Sequence, residues 1–418
     1  MTEPTTGATE PLDPAIAKEV ARQKEIILRG AVDVISEAEL EAKLTQSLRD
    51  GKPLRVKLGV DPTSSSLHLG FTVVLNKLRD FQDLGHVAVL ILGDATAMVG
   101  DPTGRNKTRP RLKHEEIVAH AKGYLGQASK VLDADRLEVH YNSEWLHQLD
   151  FEGLVGLTAR YTVARMLERN DFSQRYKDGT PIYLHEFVYP LLQGWDSVEI
   201  DADVELGGSD QLFNLLVGRD LQEQEDQPAQ FCLTTPLLLG LDGQLKMSKS
   251  YGNAVGIDEP AEEMFKKIMR VDDAMMRDWF VLLTRESMSE IDALLKDGAN
   301  PRDVKMRLGH VLCTRYHDAA AADAAQAAWI SQVSKKELPA DLPAVAVGGV
   351  LTDGQASVVD LLMLAFPDLK SRGEARRLMK GGGVSLSGDK ITDPMAIVTV
   401  QGDEILKAGK RRVAKLTL

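Results

Sequence analysis

The sequence predicts an α/β fold: a doubly wound parallel sheet, followed by an α-helical domain and a small α+β segment. Near the start of the sheet, the β-prone run from Leu54 to Val60 is followed by a loop. Apolar residues then recur at helical spacing from Phe71 to Leu84, and a second apolar run extends from Val87 to Leu92. A strand, a helix and a strand in this order form a parallel βαβ unit. From Ala261 onward the pattern becomes helical.

The other elements extend this organisation in both directions. A helix is predicted from Ala15 to about Arg29, before the first strand, and it follows a polar N-terminal tail. Further strands are predicted from Leu137 to Tyr141 and from Val198 to Ala202, so the sheet continues to about residue 250. In a doubly wound sheet, ligands bind at the carboxyl ends of the strands. The site is therefore expected at that edge.

The domain boundaries follow from changes in pattern and composition. The helical region ends in an Ala-rich stretch from Ala319 to Ala328, and Lys335 to Gly349 contains prolines and a glycine pair without clear periodicity. We expect a disordered tail (residues 1–14), an α/β domain (15–252), a helical domain (253–334), a linker (335–350) and a C-terminal domain (351–418).

Composition excludes several classes of protein. Hydrophobic residues make up 43% and charged residues 27% of the 418 residues, and no apolar run approaches the roughly 18 residues of a membrane span. Residues 1–14 lack the charged-then-apolar order of a secretory signal. The two cysteines, Cys232 and Cys313, are far apart in sequence, which makes a disulfide framework or a metal cluster implausible. We expect a cytoplasmic protein.

The net charge of -12 argues at first against a nucleic-acid partner. From Leu351 to Leu418, however, there are 11 Lys and Arg residues against 8 Asp and Glu, a local charge of +3 that leaves -15 for the rest of the chain. The C-terminal segment is thus the basic part of an acidic protein.

The first motif runs from Asp61 to Gly70, with the sequence DPTSSSLHLG, between the first strand and its helix. Backbone N–H groups at a helix start, with hydroxyl groups and the His68 imidazole beside them, form a site that attracts phosphate. The alternative is that the serines only cap the helix and that His68 is a partly buried surface residue.

The second motif is Lys246-Met247-Ser248-Lys249-Ser250, which lies where the sheet domain gives way to the helical domain. Two lysines on a flexible loop suit negative charge that builds up on a phosphate during a reaction. A lysine loop by itself is usually solvated surface. Together, however, the two motifs, roughly 180 residues apart, resemble the two signatures of the class I aminoacyl-tRNA synthetases.

A third group indicates the amino acid. Tyr189, Gln193 and Asp196 are spaced i, i+4, i+7, so on a helix they share one face. The alternative is the polar outer face of an amphipathic helix. With Gly207 to Gln211 and Gly100 to Arg105, these residues resemble the tyrosine pocket of bacterial-type tyrosyl-tRNA synthetases, and the resemblance runs from about Arg29 to the C-terminus.

The resemblance implies a Rossmann-like catalytic domain and a role for each matching residue. Asp196 would bind the substrate phenol, and Asp101, Tyr189 and Gln193 its ammonium group. Gln211 and Asp61 would lie near the reacting carboxylate and the α-phosphate. Gly208 and Asp210 would hold the ribose. The β- and γ-phosphates would be bound by Thr63, His68, Arg105 and Arg109, with Gly70, Lys246 and Lys249 beside them.

The resemblance also implies the reaction and the partners. Tyrosine would be activated by ATP, which enters as its Mg²⁺ complex, and would then be transferred to tRNA(Tyr). No dedicated protein metal site and no organic cofactor are expected. The enzyme would be a homodimer that pairs through an insertion in the catalytic domain.

Three positions depart from the family pattern. The first signature usually ends in a second histidine, where this chain has Phe71. Lys57 stands where many members have a tyrosine that touches the substrate hydroxyl, and Val74 stands where a threonine often contacts the ribose. We therefore expect altered nucleotide contacts and carry over no hydroxyl contact from position 57.

The basic C-terminal segment resembles an S-four-like RNA-binding module, a small domain of helices and strands. Arg372, Arg376 and Lys380 would line one face of a helix, with Arg377 beside them, followed by Gly381 to Gly383 and a strand from Val384 to Leu386. The alternative is a solvated charged helix. We expect this helix to bind tRNA.

Two other functions fit part of the sequence. A tryptophanyl enzyme shares the fold and both signatures, but it would not be expected to combine the Tyr189, Gln193 and Asp196 face with the RNA-binding module. An RNA-binding protein descended from a synthetase would explain Phe71 as a mark of lost catalysis. The intact His68, Asp196, Lys246 and Lys249 argue against that second alternative.

Overall fold

The computed structural model describes residues 13–63, 66–103, 114–331, 342–409 and 412–418, and of residue 114 only the backbone. The chain divides into two compact units, residues 1–328 and 329–418.

The first unit is built on a six-stranded sheet. Its strands are β1 (Val34–Ile35), β2 (Arg55–Val60), β3 (Val87–Leu92), β4 (Leu137–Tyr141), β5 (Val204–Gly208) and β6 (Phe231–Thr235). Their spatial order is β1-β6-β5-β2-β3-β4, and only β1 is antiparallel to its neighbour. The chain moves outward from β2 through β3 to β4, then returns to the other side of β2 for β5 and β6. The predicted doubly wound fold is confirmed, with its switch point between β2 and β5.

Helices cover the sheet and continue beyond it. Around the sheet they are α1 (Pro14–Leu28), α2 (Glu37–Asp50), α3 (Leu69–Asp83), α4 (Thr96–Val99), α5 (His114–Ala128), α6 (Ser143–Leu146), α7 (Phe151–Thr158), α8 (Val163–Met166), α9 (Asn170–Lys177), α10 (Leu184–Glu199) and α11 (Leu212–Gln224). The later helices are α12 (Ala261–Ile268), α13 (Met276–Leu283), α14 (Met288–Leu294), α15 (Pro301–Tyr316) and α16 (Ala319–Trp329).

Burial explains why the apolar runs become strands. Ala88 through Leu92 of β3 are 0% exposed, as expected for a central parallel strand that is covered on both faces. Helix α10 lies so close against α11 that a Cβ on Gly194 would be only 3.1 Å from the backbone nitrogen of Gly218, and the absence of that atom allows the contact. This close packing fixes the helix that carries the third motif.

The predicted elements agree with the structure in most places. The first helix, β2, α3, β3 and β4 all form where they were expected, but Pro14 is already helical and Asp13 caps α1, accepting a hydrogen bond from the Ala15 amide at 2.8 Å. Residues 1–12 of the predicted tail lie outside the described residues.

The strand predicted from Val198 to Ala202 is wrong, because α10 continues to Glu199 and the strand begins at Val204. Val198, Ile200 and Ala202 are all buried, which imitates the alternation of a strand. They are instead buried around the end of the helix, where the Ala202 amide donates to the Ser197 carbonyl at 3.0 Å.

The described residues from 342 onward form short strands and two α-helices of the second unit. They are β7 (Ala344–Ala346), β8 (Gln355–Ser357), α17 (Val358–Ala365), α18 (Arg372–Lys380), β9 (Val384–Leu386), β10 (Asp389–Lys390), β11 (Ile397–Thr399), β12 (Ile405–Ala408) and β13 (Arg412–Thr417). One sheet has the order β10-β9-β12-β13-β7, and β8 pairs with β11. The core includes Leu362, Met379 and Leu416, each 0% exposed.

The segment predicted as a linker contains a strand. Residues 332–341 lie outside the described residues, but β7 pairs in parallel with β13 in the C-terminal sheet. The partner strand lies about seventy residues later in the chain, so local sequence patterns could not indicate this pairing.

The state of the two cysteines and the character of the helices bear on the remaining expectations from composition. Cys232 and Cys313 are both free and buried. Within the described part of the chain, no helix has both the length and the apolar character needed to cross a membrane.

Candidate active site

Polar side chains gather at the carboxyl edge of the first sheet. Asp61 follows β2, Asp94 lies two residues after β3, Asn142 follows β4, and Asp210 lies just after β5. Carboxyl ends of neighbouring parallel strands meet at one edge of a sheet. Strand ends far apart in sequence are therefore brought to one place.

The third motif lies on α10, which carries Tyr189, Gln193 and Asp196. Tyr189 is 6% exposed and Asp196 3%, whereas Gln193 is partly buried. The alternative of a polar outer face is therefore wrong, because these side chains point into the protein.

The Asp196 carboxylate is held by two donors. The Trp145 Nε1 donates to Oδ1 at 2.9 Å, and the Asn142 Nδ2 donates to Oδ2 at 3.3 Å. Burial raises the pKa of Asp196 to about 7, and the nearby Lys57 charge opposes this rise. Sequence reasoning missed Trp145 and Asn142. The position of Asn142 directly after a strand is the signal that could have found it.

Asp61 is bound to the same helix. Tyr189 Oη donates to Asp61 Oδ2 at 3.1 Å, and Thr96 Oγ1 donates to Asp61 Oδ1 at 2.7 Å. Burial raises the pKa of Asp61 to about 7 and also raises the pKa of Tyr189. A Cβ at Gly93 would lie 2.3 Å from Asp61 Oδ1, so only glycine leaves room for this arrangement.

A second polar cluster surrounds Asp101. Gln211 Nε2 donates to Asp101 Oδ2 at 2.9 Å, and the Arg169 guanidinium lies 3.3 Å from Oδ1. Asn214 Nδ2 connects this cluster to the third motif, donating to Gln211 Oε1 at 2.9 Å and to Gln193 Oε1 at 3.0 Å. Sequence reasoning missed Arg169, which is 5% exposed, and Asn214.

His68 is the N-cap residue of α3, and Ser64 and Ser65 of the first motif lie outside the described residues. Its Nδ1 accepts from the Gly70 amide at 3.2 Å, which assigns the ring proton to Nε2. Burial, and secondly the charge of Lys249, lower the pKa of His68 to about 4. His68 is therefore a neutral N–H donor at neutral pH. The ring of Phe71 lies 4.6 Å from the His68 ring, centroid to centroid, and Phe71 is 42% exposed.

The lysine loop lies against the first motif. Lys246 Nζ is 3.0 Å from Asp210 Oδ2, and Lys249 Nζ donates to Ser66 Oγ. The Leu69 amide, at the start of α3, donates to the Val255 carbonyl at 2.9 Å. The fold thus brings together the two signatures that are far apart in sequence.

Asn253 gives this loop its shape. Its Oδ1 accepts from the Ser248 amide at 2.8 Å, and its Nδ2 donates to Asp242 Oδ2 at 2.9 Å. Asn253 is 3% exposed. A buried amide that holds both sides of a loop restrains the loop backbone.

Of the other residues predicted to bind the nucleotide, some lie at the edge of the sheet and some lie outside the described residues. The Thr63 amide donates to the Asp61 carbonyl at 2.7 Å, and Gly208 ends β5. Arg105 and Arg109 lie outside the described residues. In the residues that the structure describes, no group of three or more His, Cys, Asp or Glu side chains could hold a metal ion.

The predicted tRNA-binding residues lie on α18 in the second unit. Its four cations are all exposed: Arg372, Arg376, Arg377 and Lys380. Arg372 forms an ion pair with Asp360 at 2.6 Å. Lys410 and Arg411, two further basic residues of the C-terminal segment, lie outside the described residues.

Sequence comparison matches residues 49–334 to the family described as tRNA synthetases class I (W and Y). The chain is 48% identical over 403 residues to the tyrosine–tRNA ligase of Symbiobacterium thermophilum, covering 96% of this chain and 98% of that one. It is also 48% identical over 390 residues to the tyrosine–tRNA ligase of Aquifex aeolicus, covering 93% and 97%.

Structural comparison gives the same family. The tyrosyl-tRNA synthetase of Archaeoglobus fulgidus, solved in complex with L-tyrosine, superimposes with a TM-score of 0.60 at 25% identity. The match covers 72% of this chain and 99% of that structure.

Proposed function

Because the chain belongs to the class I tRNA synthetases of the tryptophanyl and tyrosyl type, we propose that it is a tyrosine–tRNA ligase. It activates L-tyrosine with ATP to give tyrosyl-adenylate and pyrophosphate. It then transfers the tyrosyl group to the 3′-terminal adenosine of tRNA(Tyr) in the cytoplasm.

The buried carboxylate of Asp196 is the observation that carries the choice of amino acid. Trp145 and Asn142 hold this carboxylate on the α10 face, where it accepts a hydrogen bond from the tyrosine hydroxyl. With phenylalanine the carboxylate would lack that partner, and a buried unsatisfied acceptor is costly. Discrimination of this kind is known for tyrosyl enzymes.

The other side chains of α10 and their neighbours orient the amino acid. Tyr189, Gln193 and Asp101 bind the α-ammonium group, and Gln211 lies near the carboxylate. A carboxylate oxygen of tyrosine then attacks the α-phosphorus of ATP, and the bond to the bridging oxygen of pyrophosphate breaks. No protein nucleophile is needed, so catalysis consists of positioning and charge stabilisation.

The nucleotide is bound by the edge of the sheet and the lysine loop. Asp61 lies near the α-phosphate, Gly70 leaves room for the nucleotide, and Gly208 and Asp210 hold the ribose hydroxyls. Thr63, the neutral His68, Arg105 and Arg109 bind the phosphates, and Mg²⁺ arrives with ATP. Lys246 and Lys249 stabilise the charge that gathers on the departing pyrophosphate. Since Lys246 pairs with Asp210, nucleotide binding must break that ion pair.

We assign the remaining roles by region. Catalysis belongs to residues 15–252, tRNA contacts on the anticodon side to 253–334, and further RNA binding to 351–418 through the cations of α18. Homodimerisation is supported by exposed apolar side chains between β4 and β5. Four of them are Phe151 (85% exposed), Leu184 (83%), Tyr176 (68%) and Val163 (62%).

The test is amino-acid-dependent exchange of pyrophosphate into ATP. Tyrosine should support exchange, and phenylalanine and tryptophan should not. Robust exchange with tryptophan would favour the tryptophanyl enzyme, and no exchange with any of the three would favour an RNA-binding protein without catalysis. Charging of a tRNA(Tyr) transcript tests the second step, and sedimentation velocity tests the dimer.

A further inference from the structure

An ion pair is buried at the switch point of the sheet. Lys57 of β2 and Glu205 of β5 are register partners in neighbouring strands. Lys57 Nζ lies 2.9 Å from Glu205 Oε1, and both side chains are 0% exposed. Two charges completely removed from water need a dense set of polar partners.

These partners lie mainly on α10. Lys57 Nζ also donates to the Gln193 carbonyl and to Ser197 Oγ, both at 2.7 Å. Glu205 Oε2 accepts from Ser197 Oγ at 3.1 Å and from Gln230 Nε2. The three donors of the ammonium group are all used, so Lys57 has none left for a substrate.

Glu205 also determines how the Gln193 amide is turned. Gln193 Nε2 donates to Glu205 Oε1 at 3.2 Å, whereas Gln193 Oε1 accepts from Asn214 Nδ2 at 3.0 Å. A carboxylate accepts hydrogen bonds and cannot donate them. The flipped amide would turn its oxygen toward Glu205 and its NH₂ group toward Asn214 Nδ2, so both hydrogen bonds would be lost.

The orientation of this amide matters for an amino-acid substrate. An ammonium group binds oxygen acceptors and is repelled by an NH₂ group. We propose that Lys57 and Glu205 are positioning residues that fix Gln193 so that its Oε1, and not its Nε2, faces the α-ammonium group of tyrosine. This inference rests on the proposed role of Gln193 in tyrosine binding.

A pair of apolar side chains would fill the same space but would not fix the orientation of the Gln193 amide. Replacing a buried ion pair by hydrophobic residues of similar size is often neutral for stability. The variant Lys57→Met/Glu205→Leu keeps the net charge and tests whether the polarity of the pair has a role beyond packing. Lys57→Met/Glu205→Gln restores an acceptor for Gln193 and serves as the matched variant.

The experiment compares two ligands by calorimetric titration. L-Tyrosine carries the ammonium group, and 3-(4-hydroxyphenyl)propionate lacks it but keeps the phenol and the carboxylate. In the Met/Leu variant, affinity for tyrosine should fall about 10- to 100-fold, which is the loss expected for one hydrogen bond to a charged group. Affinity for the propionate should stay within about twofold, and the Met/Gln variant should recover part of the loss.

A triple variant locates the effect. Adding Gln193→Leu to the Met/Leu pair should weaken tyrosine binding little further, because the two changes act through the same amide. Equal losses for both ligands, or unchanged tyrosine affinity, would overturn the inference. If the Met/Leu chain does not fold, the alternative apolar pair Lys57→Leu/Glu205→Met carries the same two-ligand comparison. Failure of the unaltered chain to bind tyrosine would instead count against the proposed function.

Discussion

The two ends of the proposed active site are built in different ways. At the tyrosine end, Asp196 is 3% exposed, and the supporting Lys57 and Glu205 are 0% exposed. At the nucleotide end, the Lys246 side chain is 45% exposed and its partner Asp210 26%. One end is part of the protein core, and the other is a surface loop that lies over the edge of the sheet.

The difference follows from what each end must do. Selection of an amino acid requires fixed groups that cannot relax around the wrong side chain. Release of pyrophosphate requires cations that reach the phosphates during the reaction and then let them go, which suits mobile lysines. Changes at the first end should therefore affect tyrosine recognition, and changes at the second the rate of the chemical step.

The largest effect is expected from Asp196→Ala. It removes the acceptor for the phenol and leaves the Trp145 Nε1 donor without its partner, while Asn142 Nδ2 keeps only Thr96 Oγ1, so kcat/KM for tyrosine should fall about 10³-fold. Pyrophosphate exchange at varied tyrosine concentrations measures kcat/KM. The KM for ATP should hardly change. Retained discrimination against phenylalanine would contradict the role of Asp196.

Next in size is Lys249→Ala, which should lower kcat about 100-fold. KM for tyrosine should stay the same, because the charge is needed mainly in the transition state. Single-turnover formation of the adenylate measures the step. Lys266→Ala, which removes an equal charge from an exposed ion pair on α12, should have no effect. A larger change in tyrosine KM than in kcat would show that the two ends are not separate.

Acid should weaken the tyrosine end. The pKa of Asp196 is about 7 and that of Asp61 about 7, both raised by burial. A protonated Asp196 offers a weaker acceptor, so affinity falls as pH drops through 7. One such proton makes tyrosine binding about tenfold weaker at pH 6 than at pH 8. Calorimetric titration across this range measures the slope, and a flat profile would exclude an ionised Asp196 as the phenol partner.

The smallest effect is expected from Phe71→His at the nucleotide end. The exposed Phe71 ring offers no donor, and a histidine would add one neutral hydrogen bond, which lowers KM for ATP about fivefold. Val74→Thr, on the same helix, is the companion variant for the ribose contact. An unchanged or higher KM for ATP in Phe71→His would mean that the contact between Phe71 and His68 is itself useful.

Much of the site follows from local sequence. The i, i+4, i+7 spacing of Tyr189, Gln193 and Asp196 places them on one helical face, and the burial of that face is consistent with a pocket. The strand predicted from Val198 to Ala202 was wrong because tertiary packing, and not local structure, produced the pattern. Alternate residues at the end of α10 are buried by the surrounding elements, and no local signal distinguishes this pattern from a strand.

The sequence by itself determined the elements, because apolar periodicity and turn residues act over a few neighbours, and it identified the signature residues by their types and spacing. The tertiary structure alone decided which distant groups meet. It placed Lys57 opposite Glu205 across two strands, Trp145 and Asn142 against Asp196, and Lys249 beside Ser66. Such contacts depend on strand order and helix packing, which fix the partners of a buried charge only after the chain has folded.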